Sequence, residues 1–229
     1  MRDDDFTRDL QPGDTCGPYQ IGRLLDEGGF SVVYAGENTI IKRPAALKIL
    51  KPERDRVEDI VERFAREIEL LAKIDHENVV RFYETGYARG RLWLAMELLD
   101  GLTLRKHILA GRRFRLEEAL RIGYEIACGV AQAQSLGVIH RDLKPENVIL
   151  TEATVVKVLD FGIAKFNGQG LQSTGRHPLG VMGTPSYMSP EQILGEAVTF
   201  ASDVYQVAVI IYELVAGQHP FANRRGELP

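Results

Sequence analysis

Four side chains between positions 142 and 160 are of types that could do metal-assisted acid–base chemistry. In His140-Arg141-Asp142-Leu143-Lys144-Pro145-Glu146-Asn147 an aspartate is followed by a lysine two residues on and an asparagine five residues on. Val138 and Ile139 precede the stretch, and Val148, Ile149 and Leu150 follow it. Apolar flanks anchor a segment, and the polar groups between them cannot all be buried unpaired. The expected form is a rigid loop that presents an acid, a cation and a neutral oxygen ligand to a cleft. Pro145 lacks a backbone donor and argues against a helix here. Thirteen residues beyond Asn147 comes Asp160-Phe161-Gly162, after the strand-like run Val155-Val156-Lys157-Val158-Leu159. Asp142, Asn147 and Asp160 supply one base and two oxygen ligands for a hard cation such as magnesium.

A second cation sits upstream. Ala45-Ala46-Leu47-Lys48-Ile49-Leu50 reads as a strand, and alternation puts Ala46, Lys48 and Leu50 on one face. An ammonium among apolar residues needs a partner. The helix expected over Val57–Lys73 carries an apolar stripe of Val57, Ile60, Val61, Phe64, Ile68 and Leu71, and Glu67 falls inside it. Lys48 and Glu67 are therefore the expected ion pair. Taken alone, each has a plainer reading as a snorkelling lysine and an edge glutamate.

Other elements must position these groups. Tyr19–Ala35 reads as strand, glycine turn, strand, with Gly28-Gly29 at the turn. Val79–Tyr83 and Leu92–Glu97 read as two more strands, and strand character is lost from Glu97 to Gly101. Thr103–Gly111, with Thr103 as its cap, and Leu116–Leu136 read as helices. The second places Leu116, Leu120, Gly123, Ala127, Val130, Ala131 and Gln134 on one side and stops at Gly137. Phe200–Gly217 is a strongly apolar helix with Val204, Val207, Ala208, Ile211, Leu214 and Val215. Residues 1–16 are polar and acidic and read as a mobile tail.

The order of these motifs resembles the protein kinase family, from about Tyr19 to Phe221, and is closest to the bacterial Ser/Thr kinases of eukaryotic type. The resemblance implies an α+β, two-lobed protein kinase fold. Residues 17–98 would form a small antiparallel β-sheet lobe with one helix, and residues 99–229 a mainly helical large lobe lacking its last helices. It implies transfer of the ATP γ-phosphoryl group to protein Ser/Thr hydroxyls, with Mg2+ as the metal and Mn2+ as a substitute. Asp142, Lys144, Lys48 and Glu67 would be the catalytic set. Leu25, Gly28, Val33, Ala46, Lys48, Met96, Glu97, Leu99, Ile149 and Asp160 would line the nucleotide site, and Asn147 and Asp160 would hold the metal. His140 and Phe161 read as packing residues. Asp203 would bind backbone N–H groups of the His140–Arg141 segment. Asp-Leu-Lys-Pro-Glu-Asn is the Ser/Thr-specific form, and Gly183–Glu191 resembles the segment that receives the acceptor, with Thr184 facing Asp142 and Lys144. In Lys165–Gly183, Ser173 or Thr174 is an expected autophosphorylation site beside Arg141.

Departures from the pattern define the competing reading. Of the three glycines of the phosphate-covering hairpin only Gly28 remains, with Asp26 at the first position and Ser31 at the third. A carboxylate near phosphates is repulsive. A nucleotide-binding pseudokinase scaffold is the alternative. A non-kinase nucleotide binder would need a helix-opening Walker-type loop, which this sequence does not contain. Lack of the helices that usually follow in the family would leave Glu191 without its arginine and the large-lobe core exposed, to be covered by a second copy or another partner.

Composition is that of a globular protein. The 229 residues are 45% hydrophobic and 26% charged, with a net charge of −4 that argues against a general nucleic-acid surface. Two cysteines without ligand spacing read as free thiols of a reducing compartment. The start lacks the basic and apolar regions of a signal peptide, and there is no apolar run of the ~18–20 residues that a membrane span needs. Cytoplasmic placement is the expectation.

Overall fold

The computed structural model describes residues 10–29, 31–51, 68–161 and 185–222. The described residues divide into two compact units, one formed by those up to Lys73 and by Arg81–Leu99, the other by Ile74–Val80 and those from Asp100 on.

In the first unit six strands form one antiparallel sheet in the order β1-β2-β3-β4-β6-β5. They are β1 (Thr15–Cys16), β2 (Tyr19–Glu27), β3 (Ser31–Asn38), β4 (Pro44–Leu50), β5 (Phe82–Ala88) and β6 (Arg91–Met96). Alternation decides which side of β4 is buried. Ala45, Leu47 and Ile49 join Tyr19, Ile21, Tyr34, Trp93 and Ala95 in one apolar core, and Ala46, Lys48 and Leu50 face the other way. Trp93 is accommodated by glycine. A Cβ at Gly86 would lie 2.5 Å from its ring, and one at Gly17 would lie 2.4 Å away. The strand expected over Val79–Tyr83 is displaced. β5 starts at Phe82, whereas Val79 bridges Val158 and Val80 N donates to Val158 O at 3.0 Å, so this stretch belongs to the second unit.

The second unit has a three-stranded antiparallel sheet of β7 (Gly101–Thr103), β8 (Val148–Thr151) and β9 (Val156–Val158). Its helices are α1 (Leu104–Leu109), α2 (Leu116–Ser135), α3 (Pro190–Leu194) and α4 (Phe200–Ala216). Thr103 caps α1 by accepting from Lys106 N at 3.2 Å. The buried face of α2 shares only Gly123 and Val130 with the expected one. Leu116 and Leu120 are exposed, and Ala119, Ile122, Gly123, Ile126, Gly129, Val130 and Ala133 are buried. Close approach explains this, because a Cβ at Gly123 would lie 2.4 Å from Ile211 of α4, and one at Gly129 would lie 2.9 Å from Asn78 O.

α4 departs further from its sequence pattern. Val204 and Val215 are exposed, whereas Ser202, Asp203, Gln206 and Glu213 are buried with Val207, Val209, Ile210 and Leu214. Residues 68–71 are helical, but Glu67 and the rest of the expected helix lie outside the described residues. So do Gly162–Thr184, and with them Ser173, Thr174, Arg176, His177 and Thr184. Cys16 and Cys128 are free thiols. Among the described residues no helix is long and apolar enough to cross a membrane.

Candidate active site

The segment His140–Asn147 runs from α2 to β8 and is irregular apart from one 3₁₀ turn at Pro145–Asn147, a turn that the sequence reading did not include. Proline is tolerated there because the first residues of a helix have no intrahelical N–H partner. Within the loop Lys144 Nζ lies 2.8 Å from Asp142 Oδ2. Asn147 Nδ2 donates to Asp142 O at 2.7 Å and to Asp142 Oδ2 at 3.3 Å. One carboxylate oxygen is thus held by a cation and an amide, which leaves the other as a directed acceptor.

Asp160 is tied to this loop through its neighbours. Leu159 N donates to Asn147 O at 2.8 Å. His140 bridges the two stretches: Asp142 N donates to its Nδ1 at 3.3 Å, so Nε2 carries the proton and donates to Leu159 O at 2.6 Å. Burial pushes the imidazole below its usual range despite the nearby Asp203, which favours the neutral ring. Its ring packs on Phe161 with centroids 4.6 Å apart. Arg141 and Asp160 both adopt left-handed backbone, with φ 69° and 59°. L-residues persist there only where the surroundings hold them. Asp203, at the start of α4 and 1% exposed, provides part of that hold by accepting from His140 N at 2.9 Å and Arg141 N at 2.8 Å.

The donor set suits a hard divalent cation. Asn147 spends its amide nitrogen on Asp142, so Oδ1 is the end available as a ligand, and Asp160 adds carboxylate oxygens. Among the described residues no cluster of three or more His, Cys, Asp or Glu side chains could hold a metal by itself. A site of one amide and one carboxylate leaves room for oxygens from a phosphate group, the usual situation for Mg2+.

In the first unit the strand register gathers the upstream residues. Lys48 is directly opposite Val33 and Leu94, and Ala46 opposite Ala35 and Met96. Directly opposed residues share a face, so Val33, Ala46, Lys48 and Met96 stand together on the side away from the Leu47 core. Asp26 pairs with Val33 and joins that side, and Leu25 sits at the irregularity between Leu24 and Asp26. Gly28 N closes the hairpin turn onto Ser31 O at 2.9 Å. Glu97 donates its amide to Arg81 O at 2.8 Å, and its carboxylate accepts from Arg81 N at 3.3 Å. Leu99 is half-buried after β6, and Ile149 lies on β8 opposite Lys157 and Thr103.

A family model of the protein kinase domain matches residues 19–228. The chain belongs to the protein kinase domain family. It is 36% identical over 206 residues to the serine/threonine-protein kinase PrkC of Bacillus subtilis, covering 90% of this chain and 31% of that protein. It is 36% identical over 226 residues to the serine/threonine-protein kinase PknJ of Mycobacterium tuberculosis, covering 96% of this chain and 38% of that protein. The crystal structure of the Mycobacterium tuberculosis PknI kinase domain superposes with a TM-score of 0.74 at 28% identity, over 97% of this chain and 83% of that one. The fold is therefore the protein kinase fold. The chain spans about a third of the length of the curated relatives it matches.

Sequence reasoning missed a set of polar residues around the loop. Arg105 of α1 reaches Glu146 at 2.8 Å, Glu213 of α4 at 3.0 Å and the Tyr187 hydroxyl at 2.6 Å, and Tyr187 in turn bonds Glu213. Glu191 meets the Ser202 hydroxyl, a partner not foreseen for it, and that bond lowers its pKa. The signal was present as Asp203, Gln206 and Glu213 at helical spacing within an apolar helix.

Proposed function

We propose that this chain transfers the γ-phosphoryl group of ATP to Ser and Thr hydroxyls of proteins. The observation that carries the reading is the Asp142 carboxylate held by Lys144 and Asn147 on a loop pinned by Asp203. Asp142 orients the acceptor hydroxyl and takes its proton as the oxygen attacks. Lys144, beside that carboxylate, stabilises charge on the transferring group. Asn147 and Asp160 would hold Mg2+ or Mn2+, which when bound neutralises phosphate charge. Lys48 contacts the α- and β-phosphates with Glu67 as its partner, and Gly28 lets backbone N–H groups approach the phosphate chain. Leu25, Val33, Ala46, Met96, Glu97 and Leu99 of the first unit, and Ile149 of the second, are the residues we assign to the adenine. Domain boundaries follow the family, with a sheet lobe to residue 98 and a helical lobe from 99; the acidic tail expected over 1–16 is shorter, because Thr15–Cys16 pairs with β2 and Leu10 is buried with its carbonyl accepting from the Tyr34 hydroxyl. Use of ATP places the domain in the cytoplasm, and Ser173 or Thr174 is the autophosphorylation site.

Transfer of radiolabelled phosphate from Mg-ATP to a generic Ser/Thr protein tests the reading. Asp142→Asn should lose roughly a thousandfold in rate with ATP binding retained. Equal signals for the two proteins would discard the mechanism.

One observation favours the pseudokinase reading. Asp26 stands on the Lys48 side of the sheet, opposite Val33, where a carboxylate opposes phosphate. Under the kinase reading Asp26→Gly lowers the KM for ATP. Under the alternative, nucleotide binds without transfer in both proteins.

A further inference from the structure

The left-handed backbone at Arg141 immediately precedes the candidate base, so whatever holds it also sets Asp142. Asp203 binds only the amide side of Arg141. The carbonyl side is held by two glutamines from different helices. Gln192 Nε2 donates to Arg141 O at 2.7 Å, and Gln206 Nε2 donates to the same oxygen at 3.2 Å. The second proton of Gln206 goes to Gln192 Oε1 at 3.0 Å, and Gln206 Oε1 accepts from Leu143 N at 2.9 Å. Gln192 Oε1 also accepts from Ser189 N at 2.9 Å. The arrangement matches the inventory of the groups: Gln206 uses both of its N–H protons, and the Arg141 carbonyl fills both of its lone pairs. Gln206 is 1% exposed, so water cannot replace a missing member. Asp142 is thereby clamped on both sides, at the carbonyl before it and at the amide after it.

We propose that Gln192 and Gln206 act as one positioning couple that sets the backbone around Asp142 according to the placement of Ser189–Gln192. Residues 185–191 lie within the stretch Gly183–Glu191 that the kinase reading assigns to the acceptor, and Gln192 follows it directly, so seating of that stretch is transmitted to the base by two side-chain amides. The proposal rests on that reading for its link to catalysis, and its structural half stands without it. Neither glutamine touches a reacting atom; each works through the Arg141 carbonyl.

The test compares the full chain with Gln192→Ala, Gln206→Ala, the double variant and Gln206→Glu. Gln206→Glu keeps the acceptor for Leu143 N and loses both donors. Each single alanine variant should lower kcat roughly tenfold, because it leaves a buried carbonyl under-satisfied. KM for ATP should stay within about twofold. The double variant should lose no more than about the larger single loss, since the two act as a unit. Gln206→Glu should resemble Gln206→Ala. Amide hydrogen exchange gives a readout independent of activity. In Gln192→Ala the Arg141 and Leu143 amides, which the Gln192 side chain does not touch, should exchange roughly tenfold faster. Unchanged exchange at those amides in an active enzyme would overturn the couple, as would losses in the double variant equal to the product of the singles. Faster exchange in a chain that transfers no phosphate would sink the kinase reading and keep the couple. If Gln206→Ala does not fold, Gln192→Ala on the short, largely exposed α3 carries the exchange test alone.

Discussion

The two units hold their candidate residues by different means. In the first, Lys48 is placed by strand register: alternate residues Ala45, Leu47 and Ile49 enter the core, so Lys48 must face away beside Val33 and Leu94. In the second, Asp142 sits in a loop without ladder bonds, placed by side chains that bond its neighbours' backbone. The first device is apolar and collective, so no single polar contact sets it. The second consists of individual hydrogen bonds in a buried setting, where one lost partner leaves a donor or acceptor unpaired.

The largest expected effect lies in the apolar region. Leu47→Ala should cost about 3–4 kcal/mol of stability, read by denaturant unfolding, because Leu47 is 0% exposed. Lys48→Met beside it should leave stability nearly unchanged while lowering transfer roughly a hundredfold. Equal destabilisation by the two would break the contrast. Next comes Asp203→Asn, which turns an N–H2 group toward an amide that now donates to a carboxylate. A loss of roughly 2–3 kcal/mol is expected, with faster exchange at His140 and Arg141. Arg105→Ala should follow at roughly 2 kcal/mol, since it strands the buried Glu213 carboxylate, although part of the arginine is solvated.

The smallest effect is an acid dependence. Burial lowers the pKa of His219, which faces Glu213 and Arg105, and of His107, which faces Arg112 and Glu118. The unfolded chain then binds these protons more readily than the folded one. Stability is complete above the unfolded value of about 6.5 and is lost as pH falls below it. Tm should drop between pH 7.5 and 5.5, and His219→Phe should flatten that slope. A slope unaffected by the substitution would show that His219 contributes nothing to it.

How far the sequence could be read follows the same division. Strand β4, its inward and outward faces, the cap at Thr103 and the Asp203 contact with His140 and Arg141 were all legible. Each depends on a period, a local signal or a motif. The faces of α2 and α4 were not. Leu116, Leu120, Val204 and Val215 read as core yet are exposed, because close approach at Gly129 as well as at Gly123 rotates the buried face of α2 and α4 turns its polar stripe inward. Hydrophobic periodicity assumes that buried means apolar, and around a polar loop that assumption fails.

By itself the sequence determined the family, the face of its strand on which Lys48 stands and the grouping of Asp142, Lys144 and Asn147 on one short loop, because these depend on residues close in the chain or on a two-residue period. Only the tertiary structure decided how that loop is held. Beyond the Asp203 contact that the motif implied, its partners Gln192 and Gln206 lie 51 and 65 positions from Arg141, and the spacing of such residues does not tell which distant backbone group they bond.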